Sequence, residues 1–175
     1  TVVVNIKDIG SAEFVGCQFV TNGIPFTQKL GLPPSGAPRH SPFAASLVDF
    51  NGMASLTVRD CEFRGNRTHT ISQNGYYQPM VYARRGGAPE SWQCAFTNCL
   101  FVGNEVTHAI ALNLSTVFIN NWGILCIDGG RVAANPAEVV NCTFAYNIVN
   151  TIDSTAGLCL NNGRLKLRNS ILYSN

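Results

Sequence analysis

Asn141-Cys142-Thr143-Phe144-Ala145-Tyr146-Asn147 is the phrase whose reading decides the fold. It runs polar, Cys, any, Phe, any, any, Asn. Near-copies stand at Gly16-Cys17-Gln18-Phe19 ending in Asn22, at Asp60-Cys61-Glu62-Phe63 ending in Asn66, and at Asn98-Cys99-Leu100-Phe101 ending in Asn104. A degenerate copy, Asn169-Ser170-Ile171-Leu172-Tyr173-Ser174-Asn175, closes the sequence. The copies are 44, 38, 43 and 28 residues apart. Self-similarity at such a period is the signature of a repeat architecture.

Working outward from the phrase, two further apolar positions recur before the Cys. They are Ala12 and Phe14, Leu56 and Val58, Cys94 and Phe96, Ala137 and Val139, Leu165 and Leu167. Steps of two along each pair are strand alternation. The step of three that separates them from the Cys is a bend, placed on Gly16, Asp60, Asn98, Asn141 or Asn169, residue types that tolerate left-handed backbone. Earlier still lies another strand closed by a Gly/Asn/Asp turn: Val4-Asn5-Ile6, Val48-Asp49-Phe50, Val81-Tyr82-Ala83, Leu125-Cys126-Ile127 and Leu158-Cys159-Leu160. Length varies mostly after the Asn, where Gly23 to Ala45, Thr68 to Pro79 and Ala109 to Gly123 read as excursions.

These features predict an all-β chain, a right-handed parallel β-helix solenoid of about five coils with irregular loop excursions on one side. Equivalent residues of successive coils then lie about 4.8 Å apart. Phe19, Phe63, Phe101, Phe144 and Leu172 become an internal stack, and Asn22, Asn66, Asn104, Asn147 and Asn175 a ladder of amides. An amide both donates and accepts, so each rung can bond to the next along the axis.

The Phe-x-x-Asn repeat resembles that of the polymorphic outer-membrane-protein and related β-helix adhesins, whose repeats also carry Gly-Gly-Ala before an aliphatic residue. Here Gly86-Gly87-Ala88 is followed by Pro89. More broadly the chain is similar to the pectin-lyase-like superfamily of right-handed β-helices. The resemblance covers nearly the whole chain and implies that fold; functionally the scaffold hosts adhesins, lyases, hydrolases and structural proteins.

The 175 residues suffice for one domain, 1–175, with its own core. The sequence begins inside a strand-like run and ends on the last residue of a repeat phrase, and reads as part of a longer chain. Charged residues make up only 13% and the net charge is +2, which gives no footprint for nucleic acid. No apolar run approaches the roughly 18 residues of a membrane span.

The seven cysteines raise disulfide and metal readings. Cys17, Cys61, Cys99 and Cys142 share an inward row and read as buried thiols. Cys94 and Cys99 make no zinc spacing with another pair, and no metal or cofactor is expected. Cys126 and Cys159 should face outward one coil apart, either as a cross-coil disulfide or as two exposed thiols. His69 and His108 each precede an Ile by two residues, and Asn150 precedes Ile152 likewise; the three read as a polar column, with Glu105 and Asp153 on the same edge. Tyr76, Tyr77, Trp92 and Trp122 lie in excursions, where they form a sugar- or protein-binding surface or tuck over the coil as lids. Of the sequons at Asn66, Asn113 and Asn141, only Asn113 reads as a glycan acceptor.

Asp8, Asp49, Asp60, Asp128 and Asp153 occupy different repeat positions, which does not make a glycosidase pair. The expected function is therefore non-catalytic. The chain reads as an extracellular or cell-surface β-helix with a structural, adhesive or assembly role. Its partners are other proteins or further coils at the open ends, and surface carbohydrate. The competing reading is an extracellular carbohydrate-active enzyme, a polysaccharide lyase or glycoside hydrolase with its site among the excursions.

Overall fold

The computed structural model describes residues 4–7, 10–22, 48–72, 79–85, 92–110, 123–129, 135–150 and 157–175. Among these every regular element is a strand. The first repeat supplies β1 (Val4–Lys7), β2 (Ser11–Val15) and β3 (Gln18–Val20). The second supplies β4 (Val48–Met53), β5 (Ser55–Arg59), β6 (Glu62–Arg64) and β7 (Arg67–Ser72). The third supplies β8 (Val81–Arg85), β9 (Gln93–Thr97), β10 (Leu100–Val102) and β11 (Glu105–Ile110). The fourth supplies β12 (Leu125–Asp128), β13 (Ala137–Val140), β14 (Thr143–Ala145) and β15 (Ile148–Asn150). The fifth supplies β16 (Leu158–Leu160), β17 (Leu165–Arg168) and β18 (Ile171–Tyr173).

Equivalent strands of successive repeats pair in parallel and build stacked sheets, a solenoid-like arrangement. The orders are β1-β4-β8-β12-β16, β2-β5-β9-β13-β17, β3-β6-β10-β14-β18 and β7-β11-β15. The registers reproduce the rows read from the sequence. Phe14 pairs with Val58, Val58 with Phe96, Phe96 with Val139, and Val139 with Leu167. Phe19, Phe63, Phe101, Phe144 and Leu172 form a second row.

The rows are what the interior consists of. Phe63, Phe101 and Phe144 are fully buried. Their rings stack face to face, with centroids 4.6–4.7 Å apart and planes within 4° of parallel from Phe19 to Phe144. Parallel strands in register impose this spacing, since it equals the separation between strands. Each buried ring contributes roughly 1.5–3 kcal/mol of transfer free energy. Val48, Val81, Ile127, Val58, Phe96 and Val139 fill the rest of one continuous core.

Two bends shape each repeat. The first is the one read from the sequence: Gly16, Asp60, Asn98, Asn141 and Asn169 all have positive φ, between 46° and 62°. The second precedes the ladder Asn, at Thr21, Gly65, Gly103, Tyr146 and Ser174, with φ between 50° and 62°. The sequence pattern had left that position unassigned.

The excursions expected at Thr68 to Pro79 and Ala109 to Gly123 begin later than predicted. β7 continues to Ser72 and β11 to Ile110, and both belong to a parallel sheet with β15. The cause is one more inward row: Thr68, Val106 and Val149 are in register, and Val106 is fully buried. The excursion expected at Gly23 to Ala45 lies outside the described residues.

Candidate functional site

The ladder uses up the most conspicuous repeated residue, Asn. The side-chain oxygen of Asn104 accepts from the backbone N–H and the Nδ2 of Asn66, both at 3.0 Å. Its own Nδ2 donates forward to Asn147 Oδ1 at 3.0 Å and back to the carbonyl of Phe63 at 2.8 Å. Asn66 repeats the set with Phe19 and Asn104, and Asn147 with Phe101 and Asn175. Asn66, Asn104 and Asn147 are buried. Asp lacks the two donors, and Ser lacks the reach. Asn66 has no Nδ2 hydrogen left for a glycan in the folded chain, despite its sequon. A second, exposed ladder runs along the first bend, from Asn141 to Asn98 at 3.1 Å and from Asn98 to Asp60 at 3.0 Å.

The cysteine column is equally structural. Cys99 Sγ donates to the carbonyl of Thr97 at 3.3 Å and to that of Val58 at 3.5 Å. Cys61 and Cys142 repeat this with Arg59 and Phe14, and with Val140 and Phe96. All three are buried, and all seven cysteines are thiols. Burial pushes the Cys61 and Cys94 thiols above the ordinary 9.0, and a hydrogen bond with Cys142, then burial, does the same for Cys99. These three groups hold their protons in the native state, whereas the hydrogen bond with Cys99 lowers the Cys142 thiol to about 7.

The charges on the outer rows meet across neighbouring strands. Arg67 pairs with Glu105 at 3.3 Å, Lys166 with Glu138 at 3.1 Å and Arg59 with Glu13 at 3.3 Å. Exposed pairs of this kind contribute roughly 0–1 kcal/mol each.

One outward patch differs. On the sheet β4-β8-β12-β16, residues alternate between the core and the opposite face. Val81, Ala83, Leu125 and Ile127 belong to the core, whereas Tyr82, Cys126 and Cys159 form a separate cluster. Tyr82 stands beside Cys126, and Cys126 beside Cys159, in direct register. The Tyr82 hydroxyl donates to Asp128 Oδ2 at 3.4 Å, and Asn161 Nδ2 donates to the same oxygen at 3.3 Å. Burial, then the Asp128 charge, raises the Tyr82 phenol above its ordinary 10.0. The two thiols share a hydrogen bond, which holds the Cys126 thiol up and the Cys159 thiol down. Alternation had placed Cys126 on this face as an exposed or bridged residue. It does lie on this face, but it is 0% exposed, and Cys159 is half-buried. Strand periodicity sets which face a residue takes; it says nothing of what covers that face.

The other candidate residues separate. Trp92 is 2% exposed and belongs to the core. It takes the tucked position of the two alternatives, close enough to Gly129 that a Cβ there would stand 3.1 Å from its ring. His69 and His108 do not share a row. Register is set by the Asn turn, so His69 aligns with Thr107, Thr107 with Asn150, and His108 with Thr70. The expected column of His69, His108 and Asn150 is thereby corrected to His69, Thr107 and Asn150. Tyr76, Tyr77, Trp122, Asn113 and Asp153 lie outside the described residues. Among the described residues no group of three or more His, Cys, Asp or Glu side chains could hold a metal ion. No described helix is long and apolar enough to cross a membrane. Comparison with protein-family models, with curated proteins and with solved structures gave no match to this chain.

Proposed function

We propose that the repeats close into a right-handed parallel β-helix of about five coils, of pectin-lyase-like type, that works as a non-catalytic structural, adhesive or assembly module at the cell surface or outside the cell. The ladder, the stacked rings and the cysteine column all engage the repeated residues in stacking, so the repeated phrase serves the fold. The observation that carries the reading lies at the β16-β17-β18 face. Leu160, Leu167 and Leu172 are 37%, 44% and 49% exposed, although Ile127, Val139 and Phe144 in the same rows are fully buried. Ile171 and Tyr173 beside them are 59% and 58% exposed. An apolar face edged by strands is a surface on which further β structure stacks.

The occupant that suits this face is a β-helix coil of a second copy or of a partner, with the same rows and an Asn to accept from Asn175. The test is solution mass by light scattering over a wide concentration range, for the chain and for a Leu167→Asp/Leu172→Asp variant. Association that the variant abolishes supports the assembly reading. A chain that stays monomeric at every concentration overturns it.

A further inference from the structure

We propose that Cys126 and Cys159 form a thiol–disulfide exchange site that takes a low-molecular-weight disulfide, with Cys159 as the thiol attacked from solvent and Cys126 as the thiol that resolves the adduct. The proposal goes beyond the assembly reading and does not depend on it.

The fold brings this pair together on the outer face. Cys126 and Cys159 are register partners on adjacent parallel strands, so their Cα atoms lie about 4.8 Å apart. That separation falls within the roughly 4.4–6.8 Å that a disulfide spans. Their thiols already bond to one another. The cysteines of the inner column have similar spacing but a different setting. The Sγ atoms of Cys61, Cys99 and Cys142 each lie within hydrogen-bond distance of two backbone carbonyls on rows paired on both sides, and the half-buried Cys17 at the β2-β3 edge bonds to Cys61 and lies 3.6 Å from the Val15 carbonyl. Cys159 lies on the three-residue β16, which pairs only with β12 among the described strands, so its backbone can shift to meet the dihedral a bridge requires.

Access differs between the two sulfurs. Cys126 is fully buried and Cys159 is half-buried, so a reagent reaches Cys159 first. The hydrogen bond with Cys126 lowers the Cys159 thiol and favours the thiolate there, which is the attacking species. Around the pair stand Tyr82, Asp128 and Asn161, with Arg84 in register with Asp128.

The chemistry balances in two exchanges. The Cys159 thiolate attacks one sulfur of the small disulfide RS–SR, forming a mixed disulfide and releasing RS⁻. The Cys126 sulfur, after giving up its proton, attacks the Cys159 sulfur, forms the protein disulfide and releases a second RS⁻. The two thiol protons pass to the two released thiolates. The small disulfide is reduced by two electrons, and the cysteine pair is oxidised by two.

The experiment treats the native full chain with glutathione disulfide, quenches with acid, and maps disulfides by mass spectrometry of non-reduced peptides. The wild type is expected to lose two hydrogens and to yield a Cys126–Cys159 linkage, enriched at least about tenfold over any linkage within the inner column. A C126S chain should instead accumulate one glutathione on Cys159, and a C159S chain should leave Cys126 unmodified. The inference is overturned if the native wild type keeps Cys126 and Cys159 as thiols while the urea-unfolded chain reacts. It is equally overturned if Cys126 in C159S takes up glutathione as fast as Cys159 does in C126S.

Discussion

Replacing Asn104 by Ala tests the ladder where it is deepest. The substitution removes four hydrogen bonds of 2.8–3.0 Å at a site with no solvent exposure. It leaves the Asn66 backbone N–H and one Asn66 Nδ2 hydrogen without their acceptor, while the Phe63 carbonyl loses a side-chain donor but stays in the β6-β10 ladder. Asn147 Oδ1 still accepts from the Asn104 backbone N–H at 3.1 Å. Orphaning a buried polar group costs about 1–3 kcal/mol, and two donors are orphaned. Allowing for partial relaxation, the expected loss is about 3–5 kcal/mol, or roughly 6–20 °C in Tm for a chain of this size. Among the described residues Asn22 donates only forward, to Asn66 at 3.0 and 3.2 Å, and is half-buried, so Asn22→Ala should cost about 1 kcal/mol. Asn104→Asp keeps the size of the side chain but turns an acceptor toward the Phe63 carbonyl and Asn147 Oδ1, so it should be at least as harmful as Ala at neutral pH. Urea unfolding followed by far-ultraviolet circular dichroism reads all three. Equal losses for Asn22→Ala and Asn104→Ala, or a neutral Asn104→Asp, would refute the directional ladder.

Phe101→Ala removes the middle ring of the stack and should cost about 3–5 kcal/mol in the same assay. Thr68 puts a buried hydroxyl, with no partner among the described residues, into a row otherwise filled by Val106 and Val149. Thr68→Val should therefore stabilise the fold by about 1 kcal/mol, seen as a higher urea midpoint at unchanged slope. Cys94 and Tyr82 both have folded pKa values above their ordinary 9.0 and 10.0, so the folded state holds their protons more tightly. Their contribution is complete below about pH 9 and is lost as pH rises past it; Cys94→Ala should flatten that alkaline decline by up to about 1.4 kcal/mol per pH unit. Cys99→Ser should cost less than Cys99→Ala by differential calorimetry, because a hydroxyl can keep the bonds to the Thr97 and Val58 carbonyls.

The sequence disclosed whatever depends on a residue's own chemistry. Steps of two located the inward rows, and polar residues or Gly located the first left-handed bend. The Asn at a fixed offset located the ladder. The second bend was hidden because two of its five residues are Gly and the others are Thr21, Tyr146 and Ser174. Those three take a left-handed backbone because the Asn that follows is held in the ladder, a tertiary constraint that outweighs local preference. The strands after the Asn were hidden for another reason. Each contributes little inward: Thr68, Val106 and Val149 form the buried row, too short a signal to show a period of two. The outer site was legible only by half. Alternation put Tyr82, Cys126 and Cys159 on one face, but their burial depends on contacts that no strand pattern encodes.

How freely each row varies follows from how many directional demands it meets. The ring row has only to fill volume, and Leu172 is accepted in the fifth repeat. The Cys row has to reach a carbonyl two residues back, and Ser170 does so at 2.9 Å while accepting from the Cys142 N–H at 3.1 Å. The Asn row has to deliver two donors and one acceptor from a single planar group of fixed length, and all five repeats keep Asn. A planar amide one methylene longer would drive its oxygen past the neighbouring N–H, and a shorter hydroxyl would stop short of it. The repeated phrase is thus a set of constraints on stacking. The outer patch of Tyr82, Cys126, Cys159 and Asp128 obeys none of them, since its row runs Asn5, Asp49, Tyr82, Cys126 and Cys159. Chemistry particular to this chain can therefore arise there without disturbing the stack.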